Sequence, residues 1–193
     1  GLAEPVHSLL GKGLRLKAKL IDGTAMATKI RARVAEEVKK MQCRHGIVPG
    51  LATVMVGDDP ASKIYAGNKQ RAAKEGGMLG KLFRFPEQIT EDELASHLKM
   101  INADSKFPGI IVQLPLPSHI NRSGIMEILD PNKDVDGLHP INTGRLVEGR
   151  PRYIPATPAG IQQILLRSGH DPEGKHVVVC GRSDIVGKPL SSL

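Results

Sequence analysis

The 193-residue sequence predicts an α/β fold built on a mostly parallel sheet, and three observations carry that expectation. Short apolar runs of strand length alternate with longer amphipathic stretches. The runs stop at Gly, Asp and Pro turns. One run, Gly109-Ile-Ile-Val-Gln113, is apolar without the alternation of a half-exposed strand, so it belongs inside a sheet covered on both faces.

The elements follow in chain order. Met26, Ile30, Val34, Val38 and Met41 recur every three or four residues between charges, which predicts a helix closed by His45-Gly46. Leu51–Val56 is a strand ended by Gly57-Asp-Asp-Pro60, and a helix runs from about Ala61 to Glu75. Leu79–Phe85 is a second strand, stopped by Pro86. Thr90 and Glu93 have the spacing of a capping box ahead of Leu94, Leu98 and Ile101, so a helix extends to about Ala103. The third strand is Gly109–Gln113, and the loop Asp130–Pro140 is expected to close over the sheet's carboxyl end. Prolines and glycines break the chain between Glu148 and Pro158. Thr157-Pro158 then reads as a cap and first turn for a helix through Leu166, ended by Gly169. Lys175–Cys180 reads as a strand, followed by a loop from Gly181 to Gly187 that should open a helix.

Composition excludes several classes. With 40% hydrophobic and 24% charged residues the chain is neither disordered nor membrane-spanning. Aromatics at 3% argue against a stacking platform for single-stranded nucleic acid. The net charge of +7 is concentrated at one end: residues 1–46 carry ten Lys/Arg against four Asp/Glu, the rest seventeen against sixteen. Partners are therefore expected to include neither nucleic acid nor membrane. Residues 1–20 read as a basic extension, with organelle targeting as the alternative to a solvated tail. Cys43 and Cys180 lie far apart with no CxxC spacing, so neither a metal site nor a disulfide framework is expected, and Cys180 reads as a small buried residue. A reducing compartment fits that usage, the cytoplasm first and the mitochondrion if the extension is a targeting segment.

Chemistry concentrates in a few places. Tyr65 and Lys69 stand four apart on one helix face, and a lysine becomes an acid/base near neutral pH when its surroundings lower its pKa. Taken alone the pair is weak, an exposed helix pair being the commoner case. Short-chain dehydrogenases share the spacing but place their nucleotide-binding glycines before it, the reverse of the order here. Gln113 ends a buried strand, so its amide needs a partner, for which a neighbouring lysine amine is a candidate. Asp136, between Asp134 and Gly137, could accept two parallel N–H bonds from an aminopyrimidinone edge or sit in a surface Asx-turn. His139 nearby is read as structural. In Gly181-Arg-Ser-Asp-Ile-Val-Gly187 the amides at the turn would face a phosphate, and Arg182 with Ser183 would suit a ribose 2′-phosphate. An ordinary turn with a surface arginine is the other reading.

Together, Ala61-Ser-Lys-Ile-Tyr65 with Lys69, Gly109-Ile-Ile-Val-Gln-Leu-Pro-Leu-Pro117, Lys133-Asp-Val-Asp-Gly137, Thr157-Pro-Ala-Gly160 and Gly181-Arg-Ser-Asp-Ile-Val-Gly-Lys-Pro189 occur in one order. That series resembles the bifunctional methylenetetrahydrofolate dehydrogenase / methenyltetrahydrofolate cyclohydrolase family from about Ile21 to Leu190. The resemblance implies a three-layer α/β folate domain over 21–150 after the extension 1–20. It also implies the start of a Rossmann-type NADP domain over 151–193. Hydride transfer from 5,10-methylenetetrahydrofolate to NADP and hydrolysis of the methenyl product to 10-formyltetrahydrofolate would follow, in a homodimer. By resemblance Lys69 is the acid/base, Gln113 tunes it, and Tyr65 packs on the folate rings. Asp136 holds the pterin edge, with Ser62 supporting the helix start beside the substrate. Gly181, Arg182, Ser183 and Gly187 bind NADP.

Three departures stand out. Ala156 replaces the family's usual Cys. Gly67 in the Tyr65–Lys69 helix costs about 1 kcal/mol relative to Ala. Only twelve residues follow Gly181, whereas a nucleotide domain takes roughly 100, so a truncated chain is expected. A remnant that binds folate or dimerises without turnover is the alternative.

Overall fold

The computed structural model describes residues 18–193. Of the basic extension 1–20, residues 1–17 therefore lie outside the described residues. The first helix, α1 (Gly23–His45), starts where Asp22 accepts a hydrogen bond from the Ala25 N–H and ends at Gly46, whose φ is +67°. The strands β1 (Gly50–Val56), β2 (Leu79–Phe85) and β3 (Gly109–Val112) form one parallel sheet in the order β2-β1-β3. Helix α2 (Pro60–Glu75) connects β1 to β2, and α3 (Glu91–Ala103) carries the chain across β1 to β3. Thr90 and Glu93 make the reciprocal capping box that their spacing predicts.

The register explains the layering. Val54 pairs with Phe83 on one side and Val112 on the other. Side chains alternate along a strand, so Ala52, Val54, Val56, Ile110 and Val112 share one face. That face packs against Leu94, Leu98 and Ile101 of α3, and against Ile125 and Met126 of α4 (Arg122–Ile128). The opposite face meets α2, which buries Ala66 and Ala73. A three-layer α/β arrangement results, with β3 buried throughout as its unbroken apolar run predicts.

A pseudo-strand flanks the free edge of β3. The Ile110 N–H donates to the Lys133 carbonyl at 2.7 Å, and Ile110 bridges Asp134 in parallel. Lys133 Nζ donates to the carbonyls of Asn102 and Asp104 at the end of α3. The loop Asp130–Pro140 is thus stapled along the sheet. It leads into α5 (Pro140–Val147), a helix that hydrophobic periodicity does not reveal; nor does it reveal α4.

Beyond Val147 the expectations need correction. Helix α6 (Ala156–Arg167) begins before Thr157 and has Pro155 at its N-cap, so the Thr157 hydroxyl is not the cap. Lys175–Cys180 is not a strand: it has no partner strand among the described residues, and Val177 and Val178 are 54% and 73% exposed. A strand needs a neighbour to satisfy its backbone and cover its side chains. For the same reason Cys180 is exposed rather than buried. The Gly181–Gly187 loop leads into α7, a short helix of Gly187–Ser191.

Candidate active site

The carboxyl ends of β1 and β3 converge beside α2. The helix begins with Pro60 in its first turn, and Asp59 caps it by accepting from the Ser62 N–H at 2.7 Å. Hydrogen bonds from Ser62 hold the Asp59 carboxyl below its ordinary value. Ser62 itself is buried, so its place is structural support for the helix start. One turn further on, Tyr65 is 62% exposed, and Lys69 follows on the same face.

Lys69 Nζ donates to Gln113 Oε1 at 3.1 Å. Gln113 is fixed by its backbone N–H to the Val54 carbonyl at 2.8 Å and by its Nε2 to the Leu114 carbonyl at 2.9 Å. The following Leu114–Pro115 peptide bond is cis. With its Nε2 anchored on the Leu114 carbonyl, the Gln113 amide turns its oxygen towards the lysine.

Asp136 Oδ2 lies 3.8 Å from Lys69 Nζ, and both side chains are half-buried. Burial pushes the Asp136 carboxyl above its ordinary value; the Lys69 charge opposes the rise and the Asp134 charge adds to it. Asp136 is therefore no surface Asx-turn. Gly137 beside it has φ of +66°, and a Cβ there would come within 3.0 Å of the Tyr153 carbonyl oxygen, so both backbone conformation and packing call for glycine. Tyr153 also donates its hydroxyl to the Asn132 carbonyl at 2.7 Å, which braces the loop from its outer side.

Lys69, Gln113 and Asp136, separated by tens of residues in sequence, thus meet in one place, with Tyr65 a turn away. A partly desolvated amine flanked by an amide oxygen and a carboxylate can hold or pass a proton, and the exposed ring beside it can cover a planar ligand. His139 is structural, as read from the sequence: its Nδ1 accepts from the Ile141 N–H at the start of α5. Asn142, which no sequence pattern singles out, is fully buried and bonded to Asp134. Among the described residues no group of three or more His, Cys, Asp or Glu is placed to hold a metal ion.

The second predicted site is the Gly181–Gly187 loop. Ser183 Oγ accepts from the N–H groups of Val186 and Gly187 at 3.2 and 3.3 Å. These two amides therefore face the serine hydroxyl rather than standing open for a phosphate, which corrects the sequence expectation. A Cβ on Gly187 would collide with the Gly181 carbonyl and the Arg182 nitrogen, so the turn closes only with glycine at 187. Arg182 is exposed, and Ser183, accepting on oxygen, keeps its hydroxyl hydrogen for donation. A guanidinium and a hydroxyl donor at the lip of a tight turn fit a phosphate group of a dinucleotide.

Comparison with known proteins places these features in context. Residues 21–136 match the family described as tetrahydrofolate dehydrogenase/cyclohydrolase, catalytic domain, and residues 155–193 match its NAD(P)-binding domain. The Bifunctional protein FolD of Streptococcus agalactiae is 48% identical over 175 residues, 91% of this chain and 62% of the relative. The crystal structure of the bifunctional enzyme FolD from Campylobacter jejuni superposes with a TM-score of 0.87 at 39% identity, covering 90% of this chain and 62% of that one. The Trypanosoma brucei dehydrogenase-cyclohydrolase, complexed with NADP and an inhibitor, gives a TM-score of 0.82 at 32% identity over 91% of this chain and 60% of that one. The chain spans about three fifths of the length of these relatives.

Proposed function

The chain belongs to the tetrahydrofolate dehydrogenase/cyclohydrolase family, whose catalytic domain matches residues 21–136, and from that premise we propose what the full-length protein does. It oxidises 5,10-methylenetetrahydrofolate with NADP and hydrolyses the methenyl product to 10-formyltetrahydrofolate. The observation that carries the reading is the Lys69–Gln113 hydrogen bond with Asp136 beside it. The folate domain spans 21–150, and 151–193 begins the NADP domain.

Each residue has a task. Asp136 accepts paired N–H bonds from the aminopyrimidinone edge, which favours its ionised form and offsets the cost of burying it. Tyr65 supplies a flat wall for the ring system, and Ser62 secures the start of the helix that carries both Tyr65 and Lys69. In hydrolysis, water adds to the methenyl carbon while Lys69 Nζ takes its proton. The bond from that carbon to N5 then breaks as Lys69 returns that proton to N5, and the remaining hydroxyl proton is lost to water so that the carbon becomes the formyl C=O. Gln113 holds Nζ in place by accepting one of its hydrogens. Arg182 and Ser183 bind the cofactor phosphate, and Gly181 with Gly187 shapes the turn that presents them. NADP, when bound, supplies the hydride acceptor for the oxidation.

The cytoplasm is the compartment proposed, since Cys43 and Cys180 are exposed free thiols, which persist in reducing surroundings. A homodimer is proposed on family grounds. The test of function is to mix the full-length protein with 5,10-methylenetetrahydrofolate and NADP and to follow NADPH absorbance. NADPH formation supports the reading; a full-length protein that forms none while binding both ligands overturns it.

A further inference from the structure

Asp134 lies two residues before Asp136 and takes no part in the chemistry above. It is 1% exposed, and its Oδ2 accepts from the His139 N–H and from Asn142 Nδ2, both at 2.8 Å. Asn142, on α5, is 0% exposed and shares the same Nδ2 with the Pro131 carbonyl at 2.9 Å. One carboxylate oxygen therefore closes the loop 134–139 on itself and ties it to α5. On its other side the loop is held by the Ile110–Asp134 bridge to β3. Asp136 hangs between these two anchors and faces Lys69.

We propose that Asp134 is a positioning residue: clamped by His139 and Asn142, it fixes the loop at the depth where Asp136 meets Lys69 and the substrate edge. This rests on the folate reading for what Asp136 binds, but not for the geometry of the clamp. Burying an ionised side chain is costly unless its hydrogen bonds fix something that matters. Here Oδ2 carries both bonds, whereas Asp134 Oδ1 and Asn142 Oδ1 are buried without a hydrogen-bond partner among the described residues.

The asymmetry of the two oxygens gives a clean pair of variants. In Asp134→Asn an amide oxygen in the Oδ2 position keeps both bonds, so the clamp survives and only the charge is lost. Asp134→Ala removes charge and clamp together. In the full-length enzyme, Asp134→Ala should raise KM for the folate substrate by about tenfold or more with kcat far less affected, and Asp134→Asn should restore KM close to the parent's at neutral pH. A folded Asp134→Ala enzyme with the parent's KM, or an Asn variant as impaired as Ala, overturns the proposal.

A second readout needs no turnover. The Asp136 carboxyl can be titrated by carbon NMR after aspartate labelling, its signal identified by its loss in Asp136→Asn. The charges acting on it are Lys69 of α2 and Asp134 of its own loop. Both variants lower the midpoint by removing the Asp134 charge, and Ala should lower it further because an unclamped Asp136 becomes more exposed. Equal midpoints in Asn and Ala overturn the clamp even if the protein proves to act on another substrate. A failure of the folate reading alone would leave the two midpoints different.

Discussion

Lys69 Nζ and Gln113 Oε1 lie 3.1 Å apart although 44 residues separate them in sequence, one on α2 and the other just past the end of β3. The Gln113 N–H is bonded to the Val54 carbonyl of the central strand, so the sheet itself fixes the acceptor that holds the amine.

Replacing Gln113 with Met removes that acceptor at similar size. The cyclohydrolase rate of the full-length enzyme is expected to fall by roughly 10- to 100-fold, because a misplaced acid/base loses its alignment with the reacting atoms. Thermal stability should change little, since the Gln113 side chain is only part-buried. Hydrolysis of methenyltetrahydrofolate, followed by its loss of absorbance, makes the measurement.

Asp136 predicts a trade between stability and binding. Its ordinary value is 3.8, and burial raises it in the fold. Between those two midpoints the folded protein holds a proton that the unfolded chain has released, so stability falls as pH rises through the window. Above the window the full cost of the buried charge is present. Asp136→Asn should therefore melt at a higher temperature than the parent at pH 7, with the gap closing as pH drops below the ordinary carboxylate value. Folate affinity should fall in the same variant. A melting temperature at pH 7 equal to or below the parent's contradicts the assignment.

Gly67 is a helix-interior glycine in α2, and a Cβ there would meet nothing within 4 Å. Gly67→Ala should stabilise the protein by about 1 kcal/mol, measured as a shift in the denaturation midpoint at unchanged slope. Turnover should be retained, because the Lys69–Gln113 bond already forms with glycine at 67.

The Gly181–Gly187 turn separates its two roles. Arg182→Ala should weaken NADP binding while leaving NAD binding nearly as before, the signature of a lost phosphate contact. Unchanged affinities for both cofactors would remove Arg182 from the site. Gly187→Ala, by contrast, forces a collision with the Gly181 carbonyl and should weaken both cofactors together.

The layered part of the fold was legible because its signals are local. The capping box of Thr90 and Glu93, the apolar run of β3 and the periodicity of α1 each carry their own physics. Helices α4 and α5, of 7 and 8 residues, are too short to show a period, and their starts depend on Asn121 and His139 acting as caps. The Lys175–Cys180 run has strand composition, yet strand formation depends on a neighbour that its own residues cannot specify. At the site, a polar Gln113 ending a buried strand already called for a donor such as lysine. Asp136 was ambiguous from chemistry alone, because only the stapling of its loop to β3 turns it inward. Asn142 carries no local signal at all; its burial against Asp134 is a tertiary event.

The most direct test of the catalytic assignment is the cyclohydrolase rate of the full-length Lys69→Ala enzyme, with folate binding measured alongside. Hydrolysis should be lost, by about 100-fold or more, while the variant remains folded and still binds folate. A folded Lys69→Ala enzyme that hydrolyses methenyltetrahydrofolate at the parent rate would contradict it.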